Sequence, residues 1–453
     1  MNRRKFIKTA GAAGAAAVAF PYLLPSGRLF AQTGFRMANH VVFVLFAGGV
    51  RQQESVLQRY LDDSQGMTGV EGNIMYNLIN GSAPDQKIVY GTDPAVGPAG
   101  SVPIPKLLNG SETFQNMGTY FPELYATSAG HYSGLNTLVT GNTAFTQGLR
   151  QKPLYPTIFE YARRHGGLKA TDTWFVGNGI NNSIPLLNYS THPDYGAPYG
   201  GNFLAPNITF GEDGIEHISN AKVYHPQEEL SPIYKMKYFL DNSFASGGAS
   251  LLDYGIQNTE EERESIREFI KAMFIKQAGG QVAFPPVSDN GDMNNVGWAI
   301  EVMKWFKPTL TVVNMSSVDG CHSNFTGYLR SLHRADHGTA HLWNEIQQIP
   351  GMAGNTVMVI APECGRNAFA NPILDENDWG AYDHSDQNTR RIFALMVGPG
   401  IPAGEVKGNA TTETKVGESV DCVPTIAEIL GFKMDVYGTG LLASNSKSLF
   451  EYL

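Results

Sequence analysis

Apolar and polar positions alternate along this chain in two rhythms. "VVFVLF", Val41–Phe46, is an unbroken run of branched and aromatic residues that stops at Gly48–Gly49. A run this short and this apolar, ended by a turn signal, predicts a strand buried on both faces. The same reading applies to "TWFV", "TLTVVNM", "NTVMVIAP" and "RRIFALMVG". Between them lie stretches with helical spacing: "YPTIFEYARRHGG", "NVGWAIEVMKWFKP", "HLWNEIQQIPG" and "ESVDCVPTIAEILGF". Strands alternating with helices predict an α/β domain with a mostly parallel central sheet sandwiched by helices.

The rhythm breaks in the middle. Residues 181–290 are rich in Asn, Gly, Pro and Tyr and hold one strong helical segment, "TEEERESIREFIKAMFIKQ", acidic early and basic late as the helix dipole prefers. This stretch reads as an irregular inserted cap. It divides the α/β domain into a first part, 32–180, and a second part, 291–453. Residues 1–31 read as a twin-arginine export signal: Arg3 and Arg4, then Phe6 and Lys8, then a weakly apolar Ala/Gly run. An uncleaved membrane anchor is the other reading of this leader, although Pro21 and Pro25 interrupt it. No later run is long and apolar enough to span a membrane. The expected location is therefore the periplasm or the exterior.

Composition narrows the function. The net charge is −9, and it becomes more negative once Arg3, Arg4, Lys5, Lys8 and Arg28 leave with the signal. A nucleic-acid partner is not expected, because phosphate binding needs a basic face. Cysteines are few, Cys321, Cys364 and Cys422, which excludes a disulfide framework and leaves room for one bridge, with Cys321 and Cys364 as neighbours at strand ends.

In open parallel sheets, chemistry collects at the carboxyl ends of the strands. Asp319 and His322 follow one strand, three residues apart. A carboxylate and an imidazole in one tight turn suit a metal ion, and equally suit a turn cap beside a surface histidine. Glu363, Cys364, Gly365 and Arg366 follow another strand. Arg366 suits an anionic substrate, or an ion pair with Glu363 that steadies the loop. Cys364 reads as a thiolate ligand, a disulfide partner or an inert core residue. Asp383 and His384 stand in a polar loop before a further strand. Thr127 and Ser128 lie in a glycine-rich turn with His131, which suits a hydroxyl nucleophile or an ordinary loop entering a helix.

Taken in order, these stretches resemble the alkaline phosphatase/sulfatase superfamily over nearly the whole chain after the leader. "LFAGGVRQQES", "ECGRN" and "DHSDQNTRRIFALMVGPG" are similar to a branch of twin-arginine-exported bacterial proteins related to sulfatases. The resemblance implies two metal ions around a hydroxyl nucleophile, Thr127 with Ser128 as runner-up. It implies Asp319, His322 and His384 as ligands of one ion, with Glu363 and Asp383 as further candidates. The second ion would need Asp at 47 and an Asp–His pair at 363 and 364, where this chain has Ala47, Glu363 and Cys364. Glu54 is the candidate to replace the missing carboxylate. The formylglycine signature of sulfatases is absent from the expected turn. The implied activity is metal-dependent hydrolysis of a small phosphate, phosphodiester or sulfate ester at a partly eroded site, with one divalent ion, zinc or similar. The alternative is a catalytically reduced protein that binds or helps assemble another exported protein.

Overall fold

The computed structural model describes residues 34–61, 71–84, 103–110, 112–145, 152–177, 187–211, 258–287 and 290–453. The export signal of 1–31 and much of the expected cap, including 212–257, lie outside the described residues.

Eight strands form one sheet: β1 (His40–Phe46), β2 (Gly118–Tyr125), β3 (Thr173–Val176), β4 (Asn202–Leu204), β5 (Leu310–Met315), β6 (Thr356–Pro362), β7 (Arg391–Val397) and β8 (Glu405–Val406). Their order is β4-β3-β5-β1-β6-β7-β2-β8. From β4 to β6 all neighbours are parallel, and β2 and β8 pair in parallel. β7 runs antiparallel to both β6 and β2, so the sheet is mixed. The α/β sheet predicted from the sequence is thus the observed architecture.

Helices cover both faces. On one side lie α3 (Glu260–Ala278), α4 (Gly291–Phe306) and α5 (Phe325–Ile346); on the other lie α1 (His131–Thr140), α2 (Ile158–His165) and α6 (Cys422–Ile429). The alternation in β1 shows why its run is continuous. Val42, Val44 and Phe46 share a core with Trp298, Ile300, Tyr328 and Leu332. Val41, Phe43 and Leu45 share the other core with Leu138, Phe159 and Ile426. Each such side chain contributes about 1.5–3 kcal/mol by leaving water, so a polar residue on either face of β1 would be costly.

Within 187–211 and 258–287, β4 extends the sheet as its edge strand. α3 starts with a capping box between Thr259 and Glu262 and buries Ile266, Phe269, Ile270 and Met273 against the first core. α5 is longer than its apolar pattern suggests. Asn324 caps it and it runs for 22 residues. Its middle turns bury His333, Arg334, Asp336 and His337, which interrupt the apolar spacing. The Asp336 carboxylate accepts the amides of Asn77 and Leu78 and the side-chain amide of Asn77, which stabilises a buried acid where sequence favours none.

Candidate functional site

Phe46 of β1 is in register with Met315 of β5 and Pro362 of β6, so three strands end side by side. β2 ends at the same edge and hands the chain through Thr127 and Ser128 into α1. Because β7 is antiparallel, the polar loop before Arg391 arrives there as well. The turn after β1 must be glycine. Gly48 has φ +119°, and a Cβ on it would lie 2.4 Å from the amide nitrogen of Asp319. Its own amide donates to Glu363 Oε1 at 2.5 Å. The turn after β5, Ser317–His322, is held from behind by Asp292 at the start of α4. That buried carboxylate accepts the amides of Ser316 at 2.6 Å and Ser317 at 3.0 Å.

His131, the first residue of α1, is the hub. Its Nε2 lies 3.0 Å from Asp319 Oδ1 and its Nδ1 lies 2.8 Å from Glu363 Oε1. Cys364 Sγ is 4.0 Å from Nδ1, and the His384 ring packs edge-on with centroids 4.3 Å apart. Burial alone would lower the affinity of His131 for its proton. Hydrogen bonds to Asp319, Cys364 and Glu363 outweigh it and raise its pKa to about 12. Asp319 responds in the opposite sense. Burial would raise its pKa, but the hydrogen bond and charge of His131, with Arg366, hold it at about 2. Burial pushes the Cys364 thiol up to about 11, so it is protonated at neutral pH. Burial also lowers His384, reinforced by the charge of His131. Glu363 is fully buried and its Oε2 has no hydrogen-bond partner among the described residues.

The residues named from sequence gather unevenly. Glu363 and Asp319 meet at His131. His322 stands beside Asp319, its Nδ1 3.6 Å from Oδ1 and 2.5 Å from the backbone carbonyl, with 43% of its side chain exposed. His384 enters through its contact with His131. Asp383 is exposed, and its backbone carbonyl, accepting from Asn367 at 2.8 Å, ties it to the loop. Thr127 Oγ1 is hydrogen-bonded to Ser419 Oγ at 3.0 Å, and the Thr127 amide donates to the same oxygen at 3.1 Å. Ser128 and Ser133 share a hydroxyl–hydroxyl hydrogen bond.

Three expectations are corrected. Arg366 does not pair with Glu363, nor does it face an incoming anion. It is fully buried and donates to Asp319 Oδ1 at 2.8 Å, to the Gly48 carbonyl and to the Tyr382 carbonyl at 3.2 Å. Glu54 does not replace the carboxylate missing at Ala47; it is buried against Arg51, whose guanidinium stacks 3.9 Å over the Tyr382 ring. Cys321 and Cys364 form no disulfide, and Cys321, Cys364 and Cys422 are all free and buried.

Among the described residues, the donor atoms that gather within 4.8 Å of one another belong to His131, Glu363 and Cys364. Asp319, His322 and His384 do not form such a set, because the Asp319 carboxylate is turned toward His131 and Arg366. Imidazole nitrogen, carboxylate oxygen and thiol sulfur together suit a borderline divalent cation, and the orphaned Glu363 oxygen is the polar atom such an ion would satisfy. Binding would release the protons of Cys364 and His131. Sequence reading placed His131 only as a neighbour of Thr127 and Ser128 in their glycine-rich turn, outside the expected ligand set. Its one signal was position: a histidine opening a helix directly behind two hydroxyl residues.

No known family model matches the chain, and no curated protein matches it. Solved structures with a similar chain path include a member of the alkaline phosphatase superfamily, an alkaline phosphatase and a sulfatase, all at low identity. One is a superfamily protein from Vibrio parahaemolyticus: 12% identity, 91% of this chain and 71% of that one covered, TM-score 0.39. Another is the wild-type alkaline phosphatase PafA: 10% identity, 87% and 96% covered, TM-score 0.42. A third is the PsFucS1 sulfatase from Pseudoalteromonas sp.: 13% identity, 99% and 77% covered, TM-score 0.39. A likeness of this size carries no activity or residue role across to this chain.

Proposed function

We propose that this protein is an exported, divalent-metal-dependent hydrolase of phosphate, phosphodiester or sulfate esters, related to the alkaline phosphatase/sulfatase superfamily and to its twin-arginine-exported branch. The observation that carries the reading is the buried, unpartnered Glu363 Oε2 beside His131 and Cys364 at the carboxyl edge of the sheet. These three residues would hold the ion, with zinc the best match to their mixed donors. When bound, the ion supplies Lewis-acid polarisation of an ester oxygen. Asp319, His322 and His384 stand next to this set as further donors.

The remaining roles belong to the chain. Thr127 is the first candidate nucleophile, since Ser419 fixes both its amide and its hydroxyl. Ser128 is the second. Both precede α1, whose first-turn amides and positive dipole end favour an anionic head group. Asp319 orients His131, and Arg366 positions Asp319. The substrate is a small anionic ester, and the compartment is the periplasm or the exterior.

One observation favours a second reading. His131 already bridges the two carboxylates, and Arg366 already neutralises Asp319. A site balanced by its own cations suits a catalytically reduced protein that binds or assembles another exported protein. Elemental analysis of purified protein, with hydrolysis of p-nitrophenyl phosphate, bis-p-nitrophenyl phosphate and p-nitrophenyl sulfate, separates the two. Metal that is lost in Glu363→Gln together with turnover supports the hydrolase. A folded chain with neither metal nor turnover removes it and leaves the second reading.

A further inference from the structure

The middle of α5 carries three histidines one turn apart, His333, His337 and His341, in the stretch "HRADHGTAH". At this spacing they share one helical face, with neighbouring Cβ atoms about 5–6 Å apart. The first is fully used. His333 Nδ1 donates to the Ile74 carbonyl at 2.7 Å, and its Nε2 accepts the Ile104 amide at 3.0 Å. His337 is different. It is 2% exposed, yet neither of its ring nitrogens has a hydrogen-bond partner among the described residues. Native interiors almost always supply a partner to a buried polar group, so an orphaned imidazole points to a missing water or ion. His341 is half-buried, and its Nε2 lies 3.4 Å from the Ala283 carbonyl. Donation there keeps the proton on Nε2 and leaves the Nδ1 lone pair for a ligand. Both rings are neutral at pH 7. Burial first, then the neighbouring His341, lowers the pKa of His337 to about 4, against a weaker pull from the Pro105 carbonyl. Burial also lowers His341, while Glu345, one turn further on and paired with Lys304, acts on it with its negative charge.

We propose that His337 and His341 together hold a divalent transition-metal ion of the imidazole-preferring class, such as zinc, at a site separate from the sheet-edge cluster, with water in the remaining positions. Two histidines four apart on one helical face are a zinc-binding pair, because one ion at about 2.0–2.1 Å from each nitrogen fits between adjacent turns. In the hydrolytic version of this pair a glutamate follows the first histidine and acts as the base. Gly338 stands there in this chain, so the ion has no base beside it and is structural. Position agrees. His337 lies about 18 Å along α5 from Phe325, the end that adjoins the candidate site. The segments that reach this face are held through Ile104 and Ala283, and the ion would fasten the helix beneath them. The pair does not depend on the ester-hydrolase reading.

The test is equilibrium dialysis of the chelator-treated full chain against zinc sulfate, run on the wild type, His337→Gln, His341→Ala and Glu363→Gln. Each histidine variant should bind one ion fewer per chain than the wild type. His341 is half-buried and makes one long hydrogen bond, so His341→Ala should fold, with a urea midpoint in chelator equal to that of the wild type. Added zinc should raise the wild-type midpoint further than that of His341→Ala. In the imidazole NMR spectrum of Glu363→Gln, zinc should move the His337 and His341 signals and leave those of His333 in place. A count unchanged by both histidine substitutions, or a His337 signal indifferent to saturating zinc, overturns the site and leaves a buried water as the partner of His337. The two metal readings fail separately. If Glu363→Gln keeps the wild-type count while His341→Ala loses an ion, the sheet-edge cluster is empty and the helix site stands. If Glu363→Gln loses the sole ion and His341→Ala keeps it, the helix site falls and the sheet-edge reading stands.

Discussion

Gly48→Ala is the sharpest test of how the site is built. At φ +119° the backbone lies in a region that side chains rarely adopt, and holding alanine there costs about 1–3 kcal/mol. The added methyl would also come within 2.4 Å of Asp319 N, 2.6 Å of its Cα and 2.6 Å of its Cβ. Two of these are backbone atoms of a turn held by Asp292, so the overlap cannot be relieved by rotating a flexible side chain. Overpacking of this kind costs about 1–3 kcal/mol more. The sum, about 2–6 kcal/mol, should shift the urea midpoint well below that of the wild type at unchanged slope. A control lies in the neighbouring turn. Gly320→Ala meets nothing within 4 Å and should stay within about 0.5 kcal/mol of the wild type. The strain should also push Asp319 away from His131, so the imidazole NMR signal of His131 should begin to titrate in the accessible range. A metal-free Gly48→Ala protein as stable as the Gly320→Ala control, with His131 still protonated at pH 9, would refute the close-approach argument.

Other outcomes follow from the same geometry. Arg366→Met leaves the buried Asp319 carboxylate without its guanidinium and should cost about 3–5 kcal/mol in urea unfolding, with Arg366→Met plus Asp319→Asn recovering part of that loss. His333 is buried with Nδ1 donating to the Ile74 carbonyl and Nε2 accepting from the Ile104 amide, and burial lowers its pKa from 6.5 to about 4. The folded state then binds fewer protons than the unfolded state between those values. Stability from this residue is full above pH 6.5 and lost as pH falls toward 4, by about 3 kcal/mol; a pH series of urea midpoints should lose that component in His333→Gln. The thiols of Cys321, Cys364 and Cys422 should be silent toward Ellman's reagent in the native protein and all react in denaturant, and a missing equivalent would point to a disulfide.

The sequence by itself determined the layered architecture. A strand with no polar position can be stable only between two apolar layers, and β1 shows that Val41–Phe46 divides its side chains between both cores. It also placed Asp319 and Glu363 at one edge, because strand ends in a parallel sheet are brought together by topology, whereas His384, which precedes its strand, reaches that edge because β7 runs antiparallel. β2 was harder to read, because Pro122 interrupts it. A bulge between Phe121 and Leu124 accommodates the proline, and Gln52 Nε2 donates to the Pro122 carbonyl at 3.0 Å from a distant turn. The middle turns of α5 were hidden because buried polar residues break its apolar spacing, and Asp336 is satisfied by residues some 260 positions earlier. Pairing was the part that only tertiary structure decided. Arg366 reaches Asp319 rather than Glu363, Glu54 is taken by Arg51, and His131 becomes the bridge between two carboxylates. Residue types and spacing state which groups are available at an edge. Which charges meet depends on distances of a few ångströms between segments far apart in the chain, and those distances are set by how closely glycine at position 48 lets two strand ends approach.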